Sequence, residues 1–330
     1  MTHSFVFNGD ADGLCALQQL RLAEPDGRAQ QAPLITGVKR DIALLDRASG
    51  GSGDTCTVLD ISLDVNRAAL QSLLDAGVSV RYFDHHFAGE IPAHPKLEAH
   101  IDLAPNVCTS LLVDRYLAGR LRTWAIVGIF GDSLVDEGRA LAREVGLTDA
   151  VAERLRELGV AINYNAYGET IADLHVPPLK LAEEMLPFVD PVEFAETSAT
   201  FRRLRDGFRE DMELARGIQP SRKVPGAIVF RLPDLAWARR VSGTLANDLA
   251  KAHAGSAIAI VSPKSGAGAG AGGGYLVSVR VPRDCPTSAE AFCRQFPTGG
   301  GRRSAAGINH LPSADLETFA TAFEQQFRVG

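Results

Sequence analysis

The chain reads Val78-Ser79-Val80-Arg81-Tyr82-Phe83-Asp84-His85-His86 across its most informative segment. The first six residues are mostly β-formers and follow Gly77, which closes a helix-like stretch, so they predict a strand. A carboxylate and two imidazoles come where that strand ends. Both groups ligate metals. The segment therefore predicts a metal site at a strand end.

The residues before this strand complete a βαβ unit. Thr55–Leu59 is rich in β-formers and ends at Asp60, and residues 63–76 repeat apolar side chains at helical spacing. The two strands are expected to be parallel neighbours, because a helical crossover connects them. Asp60 and Asp84 would then leave the same carboxyl edge of the sheet, where open α/β sheets bind ligands.

Two further segments bring carboxylates to the same place. Residues 4–7 predict a short strand that stops at Asn8-Gly9-Asp10-Ala11-Asp12-Gly13, before a helix-like stretch. Residues 124–130 are almost wholly apolar, hence a buried element, and they end at Gly131-Asp132-Ser133. The predicted edge thus collects five carboxylates, those of Asp10, Asp12, Asp60, Asp84 and Asp132.

Such a cluster needs a compensating charge, because like charges a few ångströms apart repel by roughly several kcal/mol where the dielectric constant is low. Carboxylates mixed with imidazole suit Mn²⁺, Zn²⁺, Co²⁺ or Fe²⁺ better than Ca²⁺. Several carboxylates together favour two ions about 3.5 to 4 Å apart, the arrangement used for phosphoester displacement. Taken singly, an Asp after a strand is more often a helix cap or turn residue, and paired histidines can be surface residues. The joint pattern favours the metal site.

The ordered motifs resemble those of the DHH phosphoesterases. This superfamily includes RecJ-type single-strand exonucleases, oligoribonucleases, phosphoadenosine phosphate phosphatases, cyclic-dinucleotide phosphodiesterases and inorganic polyphosphatases. Near the C-terminus, Gly299-Gly300-Gly301-Arg302-Arg303-Ser304-Ala305-Ala306-Gly307 is similar to the glycine-rich loop of the DHH-associated domain, and Tyr275-Leu276-Val277-Ser278-Val279-Arg280 is similar to its Ser-x-Arg strand. The resemblance implies an α/β fold with an N-terminal parallel-sheet DHH domain and a smaller C-terminal α/β DHH-associated domain, joined by a helical linker.

The resemblance also implies a role for each motif residue. Mn²⁺ is the expected ion, with Mg²⁺ and Co²⁺ as alternatives, and two ions are expected in all. Asp60 is expected to bridge them, Asp10 and Asn8 to bind the first, and Asp12, His85 and Asp132 to bind the second. His86 is expected to face the scissile phosphate, as a charge stabiliser or as the acid for the leaving oxygen, and Asp84 to orient an imidazole.

Two positions depart from the family pattern. Asn8 stands where many members have His or Asp, and because an amide oxygen is a weaker ligand than a carboxylate, the first metal is expected to bind loosely. Arg302 stands where the C-terminal loop usually has His. An arginine grips phosphate bidentately and keeps its charge, so phosphate binding would survive while base or sugar preference changes. The expected substrate-binding residues are Arg280, Gly300, Gly301, Arg302 and Arg303, although paired arginines can also be only a solvated loop.

The composition bears on substrate and compartment. A net charge of −6 and an aromatic content of 7% make a broad groove for long nucleic acid the weaker hypothesis. Local cations, including Lys39, Arg40 and the C-terminal arginines, could still hold a few phosphates. The start of the chain lacks a leader pattern and no apolar run could span a bilayer, so a cytoplasmic protein without membrane contact is expected. The five cysteines form no CxxC pair and are expected to be reduced.

The sequence predicts three regions. Residues 1–188 form the metal-binding domain, 189–222 a helical linker and 223–330 the substrate-binding domain. The linker prediction rests on one charged helix over 191–217, ended by a break at 220–225. A Gly/Ala-rich excursion over 265–274 is expected to be mobile and not a phosphate cradle, because no P-loop lysine follows.

These features predict a metal-dependent phosphoesterase acting on short oligonucleotides or small nucleotides. A RecJ-like single-strand DNA exonuclease is the second enzymatic hypothesis. The third is a catalytically weakened nucleotide-binding or regulatory protein, in which Asn8 and Arg302 mark lost activity. The oligomeric state is left open, with a homodimer as one option.

Overall fold

Five parallel strands form the first sheet of the protein, whose computed structural model describes residues 2–24, 27–264 and 273–329. The order across the sheet is β2-β1-β3-β4-β5. β3 and β4 are parallel neighbours joined by a helix, as the βαβ pattern predicts. The strands are β1 (His3–Phe7), β2 (Leu34–Ile35), β3 (Thr55–Leu59), β4 (Ser79–Asp84) and β5 (Leu97–Ile101).

The three central strands end level with one another. Phe7 of β1 pairs with Leu59 of β3, and Leu59 pairs with Phe83 of β4. All three side chains are fully buried. The polar segments that follow these strands therefore leave one carboxyl edge at the same height, which confirms the predicted convergence.

Ten helices accompany this sheet along the described chain. α5 is buried along most of its length because it is apolar on every side, and it packs against α1 and α7. Residues 124–130 are therefore buried, as predicted, and form a helix. The helices are α1 (Ala11–Ala23), α2 (Arg28–Gln31), α3 (Arg67–Asp75), α4 (Thr109–Tyr116), α5 (Arg122–Gly131), α6 (Val135–Glu144), α7 (Asp149–Ala166), α8 (Pro178–Met185), α9 (Pro191–Thr197) and α10 (Ala199–Arg216).

Three predicted element boundaries were wrong. The helix predicted over 63–76 begins only at Arg67. The single helix predicted over 191–217 is two helices, because the backbone of Ser198 is extended and its hydroxyl accepts a hydrogen bond from the Phe201 amide to start α10. The break predicted over 220–225 holds a strand, since Pro220 begins β6 at a sheet edge, where proline is tolerated.

The chain divides into two compact units between Gly207 and Phe208, inside α10. The second unit has a six-stranded mixed sheet in the order β10-β11-β9-β8-β7-β6, in which only β7 and β8 run parallel. Phe292, Phe319, Phe323 and Phe327 pack together in its core. Its elements are β6 (Pro220–Val224), β7 (Ala227–Arg231), α11 (Ala236–Ala252), β8 (Ala257–Pro263), β9 (Gly274–Arg280), α12 (Ala289–Cys293), β10 (Gly299–Gly301), β11 (Ala305–Pro312) and α13 (Leu316–Phe327).

Three predictions concern features outside the sheets. The five cysteines are free thiols, as predicted. Among the described residues, no helix combines the length and apolar character that crossing a bilayer requires. Most of the predicted glycine-rich excursion, residues 265–272, lies outside the described residues.

Candidate metal centre

The first motif forms a tight turn between β1 and α1. Asp10 caps α1, and its Oδ1 accepts hydrogen bonds from the Asp12 and Gly13 amides, both at 3.1 Å. Asn8 Oδ1 accepts a hydrogen bond from the Asp10 amide at 3.2 Å. A Cβ at Gly13 would lie 2.2 Å from the Asn8 carbonyl oxygen, so only glycine fits there. The turn therefore fixes one oxygen of Asp10 and leaves the other for a cation.

Asp12 attaches α1 to the start of α4. Its two carboxylate oxygens accept hydrogen bonds from the Thr109 and Ser110 amides, each at 2.7 Å. The Ser110 hydroxyl donates to the Asp12 carbonyl oxygen at 2.8 Å. The first-turn amides of a helix lack intrahelical partners and favour negative charge, so this buried carboxylate satisfies them. Asp12 thus has a structural role that its motif position alone does not predict.

Asp60 adopts a left-handed backbone conformation, with φ of 60°. Non-glycine residues rarely adopt this conformation, and such strain concentrates at functional sites. The buried Asp60 carboxylate accepts a hydrogen bond from the Thr109 hydroxyl at 3.1 Å. Burial, and next the negative charges of Asp12 and Asp10, raise the pKa of Asp60 well above its usual value. A cation beside this carboxylate would stabilise its ionised form, which burial and the neighbouring charges disfavour.

The two histidines are held through their Nδ1 atoms. His85 Nδ1 lies 2.9 Å from the Val107 carbonyl oxygen, so Nδ1 carries the proton and Nε2 is a free ligand atom. That Nε2 lies 3.4 Å from Asp60 Oδ1 and 3.9 Å from Asp12 Oδ2. His86 Nδ1 lies 2.7 Å from Asp84 Oδ1. Asp84 therefore lies where it can orient the His86 ring, the role that remains predicted for it.

His86 is the more exposed imidazole, at 43% of its side chain against 8% for His85. Burial lowers the pKa of His86, but the hydrogen bond and the charge of Asp84 raise it by more, so the pKa lies above its ordinary value. The other oxygen of Asp84, Oδ2, is buried and has no hydrogen-bond partner in the described part of the chain. An exposed imidazole whose protonated form is favoured by a buried carboxylate is suited to donating a proton to a substrate oxygen.

Asp132 follows α5 and is half-buried. Burial, and next the charge of Asp12, raise its pKa to about 6, against the opposing effects of Lys39 and His85. Asp132 therefore belongs to the same electrostatic cluster as the other motif carboxylates. Its carboxylate accepts no hydrogen bond from the described residues.

The donor set fits a divalent cation. Asp60, His85 and His86 each offer one ligand atom, and these atoms lie within 4.8 Å of one another. Oxygen and imidazole nitrogen together suit Mn²⁺ and its first-row neighbours. This trio includes His86, which the family resemblance assigns to the phosphate instead. The geometry leaves His86 available for either role.

Lys39 is the cation that touches this cluster. Its ammonium contacts Asp10 Oδ2 and lies 3.0 Å from Asn163 Oδ1. Sequence reasoning noted Lys39 only as a local cation for phosphate and missed Thr109 and Ser110 altogether. The Thr-Ser pair with which α4 opens was an available signal for the latter, whereas nothing in the sequence places Lys39 beside Asp10.

The predicted substrate residues lie together in the second unit. β10 and β11 form a hairpin whose turn contains Arg302 and Arg303, with Gly300 paired to Gly307 and Gly301 to Ala306. Arg280 ends β9 and pairs with Ala305 at the same end of the hairpin. The side chains of Arg302 and Arg303 are exposed, and Arg303 donates to the Cys285 carbonyl oxygen at 3.3 Å. One end of this sheet therefore carries three arginines.

Solved structures share this architecture across nearly the whole chain. The exonuclease RecJ bound to manganese is 21% identical with a TM-score of 0.60, covering 98% of this chain and 89% of RecJ. The DHH domain of a member of the S1p family of ribosomal proteins is 13% identical with a TM-score of 0.62, covering 99% and 87%. A pGpG-specific phosphodiesterase, PggH from Vibrio cholerae, is 13% identical with a TM-score of 0.55, covering 99% of each chain.

No protein-family model and no curated protein sequence matches the chain. These three structures are below 25% identity, so the likeness concerns the fold. The fold expected from the motifs is confirmed: the chain has the fold shared by RecJ, the DHH domain and PggH.

Proposed function

We propose that the protein is a metal-dependent phosphoesterase that hydrolyses phosphodiester or phosphomonoester bonds of short oligonucleotides or small nucleotides. The observation that carries the proposal is the grouping of Asp60, His85 and His86 at the carboxyl edge of the sheet, with Asp10, Asp12 and Asp132 in the same charge cluster. Two divalent ions, with Mn²⁺ as the expected one, would neutralise these carboxylates, bind phosphate oxygens and activate water.

The protein's own groups account for the proton movement. In the proposed reaction, water attacks phosphorus and releases a proton to solvent as the bond to the leaving oxygen breaks. His86 donates a proton to that oxygen and regains one from solvent. The contact between His86 Nδ1 and Asp84 favours the protonated imidazole that this step needs. His85 keeps Nε2 as a ligand atom because its Nδ1 faces the Val107 carbonyl oxygen.

Two observations favour a short substrate. The likeness to the pGpG-specific phosphodiesterase covers both chains end to end, and pGpG is a linear dinucleotide. The net charge of −6 disfavours tracking of a long polyanion. The likeness to the exonuclease RecJ keeps single-stranded DNA as a second candidate.

A substrate panel tests the proposal. With Mn²⁺, we expect hydrolysis of pGpG or of RNA two to five nucleotides long, faster than of long single-stranded DNA, and no hydrolysis in excess EDTA. The panel also includes cyclic dinucleotides, phosphoadenosine phosphate and polyphosphate, and Asp60→Ala combined with His85→Ala serves as the inactive control. Preference for long DNA would favour the exonuclease. Tight nucleotide binding without turnover under any divalent ion would contradict the enzyme and favour a regulatory protein.

We further propose that the arginines of the second unit bind substrate phosphate. Arg302→Ala is then expected to raise KM about tenfold while kcat stays within about twofold, because a bidentate contact to a phosphate that does not react contributes mainly binding energy. Steady-state kinetics on the best panel substrate measure this. Arg294→Ala, which removes an exposed arginine paired with Glu290 in the same unit, is the matched control and should leave KM unchanged. Equal KM values for both variants and the wild type would contradict the proposal.

A further inference from the structure

Lys39 is held in a cage of three groups, all in the first unit. Its ammonium contacts Asp10 Oδ2, lies 3.0 Å from Asn163 Oδ1 and sits 5.4 Å from the centre of the Tyr167 ring. The Lys39 amide donates to the Ala166 carbonyl oxygen at 3.0 Å, which fixes the backbone as well. Fixing a flexible lysine side chain costs rotamer entropy, so these contacts mark a specific position for Lys39.

The Lys39–Asp10 pair is an ion pair at neutral pH. Burial alone would raise the pKa of Asp10, but Lys39 outweighs it and brings the pKa to about 2. Burial alone would lower the pKa of Lys39, but Asp10, Tyr167 and Asp132 raise it well above its ordinary value. The side chains of Lys39 and Asp10 are 24% and 4% exposed, so solvent screens the pair only weakly.

The pair uses the oxygen of Asp10 that a metal would need. Oδ1 of Asp10 already accepts hydrogen bonds from two backbone amides at 3.1 Å, and Oδ2 faces Lys39. A divalent ion that bound Oδ2 would lie against the ammonium, which repels it. Binding at Asp10 therefore requires Lys39 to leave, and the flexible lysine stem permits that movement.

We propose that Lys39 is a built-in competitor of the first metal, so that the two metal positions differ widely in affinity. This rests on the proposed metal-dependent function and concerns the order in which its ions bind. The position formed by Asp60, His85 and their neighbours fills first. The position at Asp10 fills only at higher metal concentration, when the ion displaces the ammonium.

Asn8 fits this role better than a carboxylate at the same place. Its Nδ2 donates to the Lys39 carbonyl oxygen at 3.2 Å, while its Oδ1 accepts from the Asp10 amide. An Asp could not make the first of these hydrogen bonds, because an ionised carboxylate has no donor. The departure from the family pattern at Asn8 thus helps to place Lys39 beside Asp10.

Titration of the EDTA-treated full-length protein with Mn²⁺ by calorimetry tests the proposal. The wild type is expected to show one tight and one weak binding phase. In Lys39→Met the Kd of the weak phase should fall about tenfold or more, because the ion pair with Lys39 no longer occupies the Asp10 carboxylate in most molecules. Lys39→Gln, which keeps a donor without the charge, should tighten it as well. Lys96→Met, which removes a lysine bound to the Gly77 carbonyl oxygen at the opposite edge of the sheet, should change neither phase.

Electron paramagnetic resonance gives a second readout. The spectrum of coupled Mn²⁺ pairs should appear at lower Mn²⁺ concentration in Lys39→Met than in the wild type. An unchanged or weakened second phase in both Lys39 variants, with Mn²⁺ still bound, would overturn the competition alone. Absence of Mn²⁺ binding to the wild type would overturn the proposed function and the competition together.

Discussion

Replacing Asp60 with asparagine is expected to abolish phosphoester hydrolysis while raising the melting temperature of the metal-free protein. We expect kcat to fall about a thousandfold or more, because the carboxylate proposed to bridge the metals is lost. The metal-free protein should gain stability above pH 5, since the asparagine side chain would carry no charge among the neighbouring carboxylates. Steady-state kinetics with Mn²⁺ and thermal unfolding in EDTA measure the two effects.

The asparagine is chosen because it preserves the geometry. Its side-chain oxygen can still accept a hydrogen bond from the Thr109 hydroxyl, and Asn tolerates the left-handed backbone that Asp60 adopts. The matched control is Asp64→Asn, which neutralises a half-exposed carboxylate paired with Arg67 a few residues away. That variant should leave both activity and melting temperature unchanged. A fully active Asp60→Asn enzyme would remove the basis of the proposed site.

Asp12 and Asp132 belong to one charge cluster, yet their removal is expected to change stability in opposite directions. Asp12→Ala leaves the buried amides of Thr109 and Ser110 without an acceptor, which costs about 2 to 4 kcal/mol even after relief of repulsion. Asp132→Ala removes a repelled carboxylate that has no hydrogen bond within the described chain. It should stabilise the metal-free protein by about 1 to 2 kcal/mol at pH 8.

The pH dependence separates the two causes. The folded-state pKa of Asp132 is raised to about 6 from 3.8, so its ionisation opposes folding above pH 4 and increasingly towards pH 7. The gain from Asp132→Ala should therefore disappear below about pH 4, where the carboxyl is protonated in both states. Urea unfolding in EDTA at pH 4 and pH 8 measures this. Stabilisation by Asp12→Ala at pH 8 would contradict the hydrogen-bonding role of Asp12, and destabilisation by Asp132→Ala would contradict the repulsion at Asp132.

Local sequence patterns are enough to predict which residues lie at the carboxyl edge of the first sheet. Thr55–Leu59 and the strand before Asp84 are short β-rich runs separated by a helix that Gly77 stops, with φ of 89°. Such a unit has essentially one handedness, so the positions of Asp60 and Asp84 follow from local patterns. The motif residues Asp10 and His85 could be placed beside them for the same reason.

Contacts between distant segments could not be predicted in this way. Lys39 reaches Asp10 from a loop, and its cage is completed by Asn163 at the far end of α7. The Thr109 amide at the start of α4 donates a hydrogen bond to the Asp12 carboxylate, 97 residues earlier in the chain. β5 (Leu97–Ile101) alternates apolar and polar residues, yet its pairing with β4 at the sheet edge was not predicted. Each depends on tertiary packing, which overrides local preference.

The level ends of β1, β3 and β4 have a consequence for how this protein can diverge. One residue added inside any of these strands would shift its terminal polar group by about 3.3 Å and turn the side chains beyond it to the other face. Segments that enter the strands from the opposite edge, such as residues 48–54, can lengthen without moving that group. Related genes are therefore free to accumulate insertions at the amino edge of the sheet, whereas within these strands they can change only by substitution.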